Sequence, residues 1–393
     1  MLATNSLKIT LVTETFPPEI NGVSLTLEKL HNYLNLSGHH PSVIRPRRFS
    51  EPRRPELVQG FPIPMYPKLR FGIGSPLRLY QTIKNKMPDI IHLATEGPLG
   101  LACLGIAKSL RIPVVSSFHT NFDLYANDYR LGFLTSGISY YLKWFHNQTE
   151  ATFAPSNACL ERLQALGYKN VKIWTRGVDT SLFNPFQKDL NFKRKLGLTE
   201  TDILLLYVGR LAPEKNIGAL LETFKKARST LSRQGKNLFL ALVGTGPLVQ
   251  QSDLEKTNGI ILPGELRGTV LAQWYASSDI FVFPSTSETF GNVILEAQSS
   301  GLPVLCLNSL ATKERITNHK DGMLAENIEE FERLLTDLTA DKSKRDYLGK
   351  NAFITAKSQI WEDIFNRLLL QYREVIEATK TNTPIKLPSP VHY

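Results

Sequence analysis

A short apolar run that stops at a glycine- or proline-bearing loop recurs along this chain. Leu204-Leu-Leu-Tyr-Val208 ends at Gly209 and is followed by Pro213, and Leu240-Ala-Leu-Val243 ends at Gly244. Lys8-Ile-Thr-Leu-Val-Thr13 and Ile90-Ile-His-Leu93 have the same form in the first half, and Ile112-Pro-Val-Val-Ser-Ser117 is a further strand-like run there. Runs of this length without alternation read as strands buried on both faces. Helical stretches lie between them, so successive strands are joined by crossovers and the sheets are parallel, which is the α/β class. At 393 residues the chain can fill two domains, each of roughly 180 residues and large enough for its own core. The expected domains are 1–182 and 195–360. Asn184-Pro185 and the polar stretch Phe186–Lys195 read as a linker between them. Residues 361–378 place Trp361, Ile364, Phe365, Leu368, Leu369 and Tyr372 on one helical face. From residue 379 the chain has three prolines and little apolar content, and disorder is expected there.

Three segments carry candidate chemistry. In Glu288-Thr-Phe-Gly-Asn-Val-Ile-Leu-Glu296, one carboxylate precedes a helix and a second stands inside it. Thr289, Phe290, Gly291 and Asn292 make the turn between, and glycine lets backbone approach a ligand closely. The N–H groups that start such a helix favour a phosphate. Glu288 can accept hydrogen bonds from sugar hydroxyls and Glu296 from a ribose, which suits a nucleotide sugar. A capped helix with one exposed and one half-buried glutamate explains the same spacing. In the second segment, Gly209-Arg-Leu-Ala-Pro-Glu-Lys-Asn216 puts Arg210 and Lys215 on one loop at the carboxyl end of a strand, where open α/β sheets bind ligands. A fork donor and a point charge there can hold a diphosphate without a metal, and two solvated surface charges are the bland alternative. The third, Gly244-Thr-Gly246 after its strand, is common and weak by itself.

Further residues add to these. His119 follows an apolar run at a strand's carboxyl end, a ligand-facing position, although histidines there are often structural. Arg176, in Trp174-Thr-Arg-Gly-Val-Asp179, is either a substrate contact or a partner for Asp179. In the first βα loop, Glu14-Thr-Phe-Pro-Pro-Glu-Ile-Asn-Gly-Val23, the prolines stiffen the turn. Asn21-Gly22 allows positive φ just before a helix expected from about Ser24. No Gly-x-Gly-x-x-Gly follows this strand, which speaks against a dinucleotide oxidoreductase.

Taken together and in this order, the three segments of the second half resemble the retaining glycosyltransferases of family 4 and their E-x7-E motif. The resemblance implies the GT-B architecture, two Rossmann-like domains facing a central cleft, with the last helix crossing back onto the first domain. It implies that Arg210 and Lys215 grip the diphosphate, that Glu288 and the amides of Phe290 and Gly291 bind the sugar, and that Glu296 binds the ribose. Gly209, Gly244 and Asn292 fall in the same donor-binding loops. Gly22 is placed against the donor phosphate and His119 near the transferred sugar. Ala94-Thr-Glu-Gly-Pro98, Ser116-Ser-Phe-His-Thr-Asn-Phe122 and Arg176 before Gly177 are similar to one branch, the bacterial GDP-mannose-dependent alpha-mannosyltransferases and the sulfoquinovosyldiacylglycerol synthases. The function implied is metal-independent transfer of a hexose, mannose from GDP-mannose ahead of a UDP-sugar, to a lipid or glycolipid acceptor. No cofactor is expected beyond the donor. A GT-B epimerase or a non-catalytic nucleotide-sugar binding protein are the alternatives. One departure stands out: after Val304, where many relatives have a Gly-Gly pair, this chain has Leu305-Cys-Leu-Asn-Ser-Leu-Ala-Thr-Lys-Glu314, a bulkier loop.

Charge is uneven. The chain carries 46 Lys and Arg against 36 Asp and Glu. Of these, residues 1–180 hold 20 against 12, a net of +8, and residues 181–393 hold 26 against 24, a net of +2. Arg45-Pro-Arg-Arg-Phe-Ser-Glu-Pro-Arg-Arg54, followed by Phe61 and Phe71, fits an anionic membrane surface or a solvated loop. No nucleic-acid motif accompanies it. There is no run of 18 apolar residues and no signal-peptide pattern, so a cytoplasmic protein, peripheral on the inner membrane face, is expected. Cys103, Cys159 and Cys306 lack metal-ligand or pairing spacing and read as free buried thiols.

Overall fold

A computed structural model of the 393-residue chain describes residues 6–19, 21–48, 51–63, 66–119, 132–233, 235–248, 254, 257–286 and 291–381, with backbone only at 63, 66–69 and 132–136. The chain divides into two compact units, residues 1–175 with 364–393, and residues 176–363.

The first unit contains an eight-stranded sheet in the order β4-β3-β2-β1-β5-β6-β7-β8. Its strands are β1 Lys8–Val12, β2 His40–Pro46, β3 Leu57–Ile63, β4 Tyr66–Ile73, β5 Ile90–Leu93, β6 Val114–Ser117, β7 Ala151–Ala154 and β8 Val171–Ile173. All neighbours are parallel except β3 and β4. Burial on both faces is why these strands read as unbroken apolar runs: Ile9, Leu11, Val12, Ile90, Ile91 and Leu93 have no exposed surface. Because β2 lies on one side of β1 and β5 on the other, the chain reverses its winding at β1/β5, a topological switch point.

The second unit contains a six-stranded parallel sheet in the order β11-β10-β9-β12-β13-β14. Its strands are β9 Ile203–Val208, β10 Leu238–Val243, β11 Ile260–Gly264, β12 Ile280–Phe283, β13 Val304–Leu307 and β14 Met323–Ala325. Here the winding reverses at β9/β12, where Leu205 pairs with Ile280 and Leu206 with Phe281. Each unit is Rossmann-like. Helix Ile217–Ser232 lays Ile217, Leu220, Phe224, Ala227 and Leu231 on its buried face, the 3.6-residue spacing that covers a sheet.

Several expectations need correction. The stretch 183–195 is no linker: Phe183 and Phe192 are buried in the second unit, with Phe192 edge-on to Trp274 at 4.8 Å and Lys193 paired with Asp279 at 2.8 Å. Phe183 and Phe192 anchor the stretch while its Phe186 and Leu190 stay exposed, and the unit boundary falls earlier, after Thr175. Helix Trp361–Thr381 runs past residue 378, so 379–381 are ordered; residues 382–393 lie outside the described set. From Ile364 onward this helix belongs to the first unit. Its Tyr372 hydroxyl lies 2.5 Å from His92 Nδ1, and its Asn366 accepts from the Tyr33 hydroxyl at 2.6 Å. Cys103 and Cys306 are buried free thiols, whereas Cys159 is half-buried. Among the described residues no helix is long and apolar enough to cross a membrane.

Candidate active site

In the second unit, the loops after β9 and β12 leave the sheet side by side at the switch point. The β9 loop is built first by backbone packing. Gly209 N–H donates to Val243 at 3.0 Å and Leu211 N–H to Thr245 at 3.0 Å, which ties the loop to the turn after β10. Gly244, at φ +140°, lies so close that a Cβ there would stand 2.0 Å from the Gly209 carbonyl oxygen. Only glycine fits that contact, so packing of loop on loop accounts for Gly244 without a ligand.

Beyond Gly209, Pro213–Lys215 form one turn of 3-10 helix, and Asn216 takes a left-handed conformation at φ +54°. The Asn216 side-chain amide donates to the Pro284 carbonyl at 3.0 Å. The loop bearing Arg210 and Lys215 is therefore tied to the end of β12, just ahead of the E-x7-E segment. Arg210 is 52% exposed and its guanidinium pairs with Glu214. A surface pair of this kind stabilises little, which leaves the Arg210 cation available for a ligand.

Gly291, at φ +75°, caps helix Asn292–Ser299, and the Ile294 N–H returns to its carbonyl at 2.9 Å. Asn292 Oδ1 is buried with no hydrogen-bond partner among the described residues. In the second turn of this helix, Glu296 Oε2 accepts from the Tyr275 hydroxyl at 2.9 Å. Burial and the Glu296 charge push the Tyr275 phenol well above its ordinary range, so it stays a donor. Glu288 and Phe290 lie outside the described residues.

Arg176 is buried at 5% exposure in this unit. Burial, with the Arg315 guanidinium nearby, pulls its pKa down to about 9, and burial pulls Arg315 to about 10; both remain charged at neutral pH. Asp179 Oδ1 accepts from the Ser181 hydroxyl at 2.6 Å and the Leu182 N–H at 3.2 Å. The bulky segment after Val304 is ordered: Ser309 caps helix Leu310–Lys313 in a reciprocal pair with Thr312.

In the first unit, helix Gly22–Leu36 begins at the β1 loop, and a Cβ on Gly22 would meet nothing within 4 Å. The positive φ expected at Asn21-Gly22 is absent. Asn21 is extended at φ −155° because it serves as the N-cap, its Oδ1 accepting from the Ser24 N–H at 2.9 Å. His119 is half-buried with its ring 5.6 Å from that of Trp174.

Sequence reasoning missed a buried cluster at the β1/β5 switch. The Glu14 carboxylate accepts from the Leu99 and Gly72 N–H groups, both at 3.3 Å, and fills the space where a side chain on Gly97 would be. Burial pushes its pKa up to about 7, the two N–H donors oppose this, and Glu96 adds to it. Glu96 lies 3.2 Å from His146 Nε2, and His146 Nδ1 is 2.8 Å from the Ser116 hydroxyl. These partners are 30 to 85 residues apart in sequence, beyond the reach of any local pattern.

The basic stretch is also more committed than its composition implies. Arg45 makes two contacts with Glu51, at 2.9 and 2.5 Å, and holds that carboxyl down at about 2. Arg47 donates to the Glu51 carbonyl at 2.9 Å, and Arg48 lies 3.6 Å from Glu19. Arg53 and Arg54 are exposed, as are Phe61 and Phe71, which pair across β3 and β4.

Residues 20–182 match the family model described as Glycosyltransferase Family 4, and residues 188–354 the one described as Glycosyl transferases group 1. A GDP-mannose-dependent alpha-mannosyltransferase of Corynebacterium glutamicum is 30% identical over 381 residues, covering 94% of this chain and 89% of that protein. The chain belongs to glycosyltransferase family 4. An alpha-monoglucosyldiacylglycerol synthase of Streptococcus pneumoniae is 29% identical over 81% of this glycosyltransferase and 75% of its own length. Among solved structures, a sucrose-phosphate synthase from Thermosynechococcus elongatus superposes with a TM-score of 0.72 at 18% identity, over 95% of this chain and all of that one. At that identity the likeness is one of fold, the GT-B fold of the family.

Proposed function

We propose that this glycosyltransferase moves a hexose, mannose foremost, from a nucleoside diphosphate sugar to a lipid or glycolipid acceptor, with retention at the anomeric carbon and without a metal. GDP-mannose is the favoured donor, on the strength of the mannosyltransferase relative. The diacylglycerol named in the second relative supports a lipid acceptor. The observation that carries the reading is the Asn216–Pro284 hydrogen bond, which ties the Arg210/Lys215 loop to the end of β12 at the β9/β12 switch, the strand that the E-x7-E segment follows in sequence.

The bond from the anomeric carbon to the diphosphate oxygen breaks as the bond to the acceptor oxygen forms. Negative charge grows on the leaving diphosphate. Arg210, Lys215 and the N–H groups that open helix Asn292–Ser299 offset that charge. The acceptor proton passes to a leaving-phosphate oxygen, so the step balances without a protein base. Glu288, with the Phe290 and Gly291 amides, holds sugar hydroxyls, and Glu296 holds the ribose. Gly22 is assigned to the donor phosphate, His119 to the neighbourhood of the transferred sugar and Arg176 to a contact with the donor, on the family resemblance. Arg53, Arg54, Phe61 and Phe71 are assigned to a peripheral contact with an anionic bilayer.

Calorimetric titration of GDP, UDP and ADP into the protein and its Arg210→Ala variant tests the donor site. GDP should bind tightest and lose affinity in the variant, with turnover falling roughly 10²–10³-fold. Binding of none of the three would sink the reading, and a UDP preference would replace GDP-mannose with a UDP-sugar.

A further inference from the structure

Four aromatic rings run in a row through the core of the second unit. Tyr207 of β9 stacks on Phe283 of β12 at 6.1 Å and 12°, and Phe283 stacks on Phe281 at 6.0 Å and 15°. Phe281 meets Tyr275, from helix Gly268–Ser277, at 5.7 Å, which ends the row; Phe183 stands outside it, edge-on to Tyr275 at 5.6 Å. Phe281 and Phe283 are two residues apart on one strand and so share a face. All four rings are buried, at 1% exposure or less. Aromatics in such a position are ordinary core, and the two phenylalanines need no further account.

The two ends of the row differ from its middle. A phenol buried this deeply must find a hydrogen-bond partner, and the choice of partner is informative. The Tyr207 hydroxyl donates to the Arg210 carbonyl at 3.1 Å, under Gly209, where a Cβ would stand 2.8 Å from the tyrosine hydroxyl oxygen. The Tyr275 hydroxyl donates to Glu296 Oε2 at 2.9 Å. Hydroxyls thus occur only at the two ends, and each ends on a residue assigned to the donor.

We propose that Tyr207 and Tyr275 are positioning residues of the donor site: the first sets the path of the backbone that carries Arg210, and the second aims the Glu296 carboxylate at the ribose. The rings between them make one rigid base, so the diphosphate and ribose contacts are held in a common frame. This inference rests on the roles proposed above for Arg210 and Glu296.

The test uses the full chain and its Tyr207→Phe, Tyr275→Phe, Arg210→Ala and Glu296→Gln variants, each checked by thermal melting. Titrations use GDP, GMP, and a dideoxy-GDP that lacks both ribose hydroxyls, or the uridine series if UDP binds more tightly. Tyr275→Phe should weaken GDP about tenfold, the scale of a hydrogen bond to a charged group, and leave dideoxy-GDP unchanged. The Tyr275→Phe/Glu296→Gln double variant should bind GDP no more weakly than Glu296→Gln alone. Tyr207→Phe should narrow the gap between GDP and GMP by about threefold, with ribose discrimination intact. A merely structural role would lower all three affinities together, or only the melting temperature, and that result would overturn the inference while the controls behave as proposed. If Arg210→Ala and Glu296→Gln show no selectivity either, the donor-site reading itself falls and this inference with it.

Discussion

Glu14 makes stability depend on pH in a direction that can be worked out. Its carboxyl is held inside the first unit against Gly97, with burial raising its pKa from 4.5 to about 7. Below pH 4.5 the group is protonated both folded and unfolded, and its neutral form fits the buried site at no penalty. As pH rises from 4.5 through 7, the unfolded chain ionises freely and the folded one does not, so stability falls and then levels off. A shift of this size corresponds to on the order of 3 kcal/mol across that window. Replacement of Glu14 by Gln keeps the shape and an acceptor oxygen for the Leu99 and Gly72 N–H groups, and removes the charge. The variant should match the parent near pH 4.5 and exceed it by up to that amount at pH 8. Urea unfolding followed at both pH values measures the gap. A difference between parent and variant that stays constant from pH 4.5 to 8 would refute the argument, since it would mean that the carboxyl titrates normally.

The other consequences concern loops and surface. Gly244→Ala places a Cβ against the Gly209 carbonyl and forces a non-glycine residue into φ +140°, so it should destabilise the protein by about 2 kcal/mol or more and abolish nucleotide binding, read by melting and calorimetry. Asn216→Ala cuts the tie to Pro284 and should weaken GDP about tenfold with a loss of stability of only about 1 kcal/mol, whereas unchanged affinity would mean that the tie does not order the cation loop. Arg53→Ser with Arg54→Ser should weaken sedimentation with phosphatidylglycerol vesicles without changing melting, because these cations are exposed while Arg45, Arg47 and Arg48 are engaged inside the unit; unaltered sedimentation would rule out this membrane surface.

What could be read from the chain and what could not divide along a physical line. Strands buried on both faces announce themselves as apolar runs, and the glycines that close them mark where the loops turn, so β9, β10 and the loops after them were legible from the sequence. The residues proposed for the donor site were legible too, because Arg210, Lys215, Glu296 and Gly291 are charged or conformationally special in the loops and helix start that follow strands. Their supports were not. Phe183 and Phe192 look like accidents in a polar stretch until burial shows that they anchor it. Asn216 reads as a loop asparagine, and its partner is the backbone of Pro284, 68 residues on.

Tyr207 and Tyr275 are harder still, since each sits where an aromatic is expected for packing alone. Their distinguishing atom is one hydroxyl, and its meaning depends on which loop lies above it. The same asymmetry governs the first unit, where Glu14 belongs to a legible loop but owes its raised pKa to burial, with the Glu96 charge adding to it and the Gly72 and Leu99 N–H groups opposing it. A cation that is to bind a ligand has to remain reachable, and Arg210, proposed for that role, is 52% exposed and so stays conspicuous in the sequence. The groups that hold it in place work by being buried, and burial makes a tyrosine indistinguishable from the core around it until its hydrogen bond is seen.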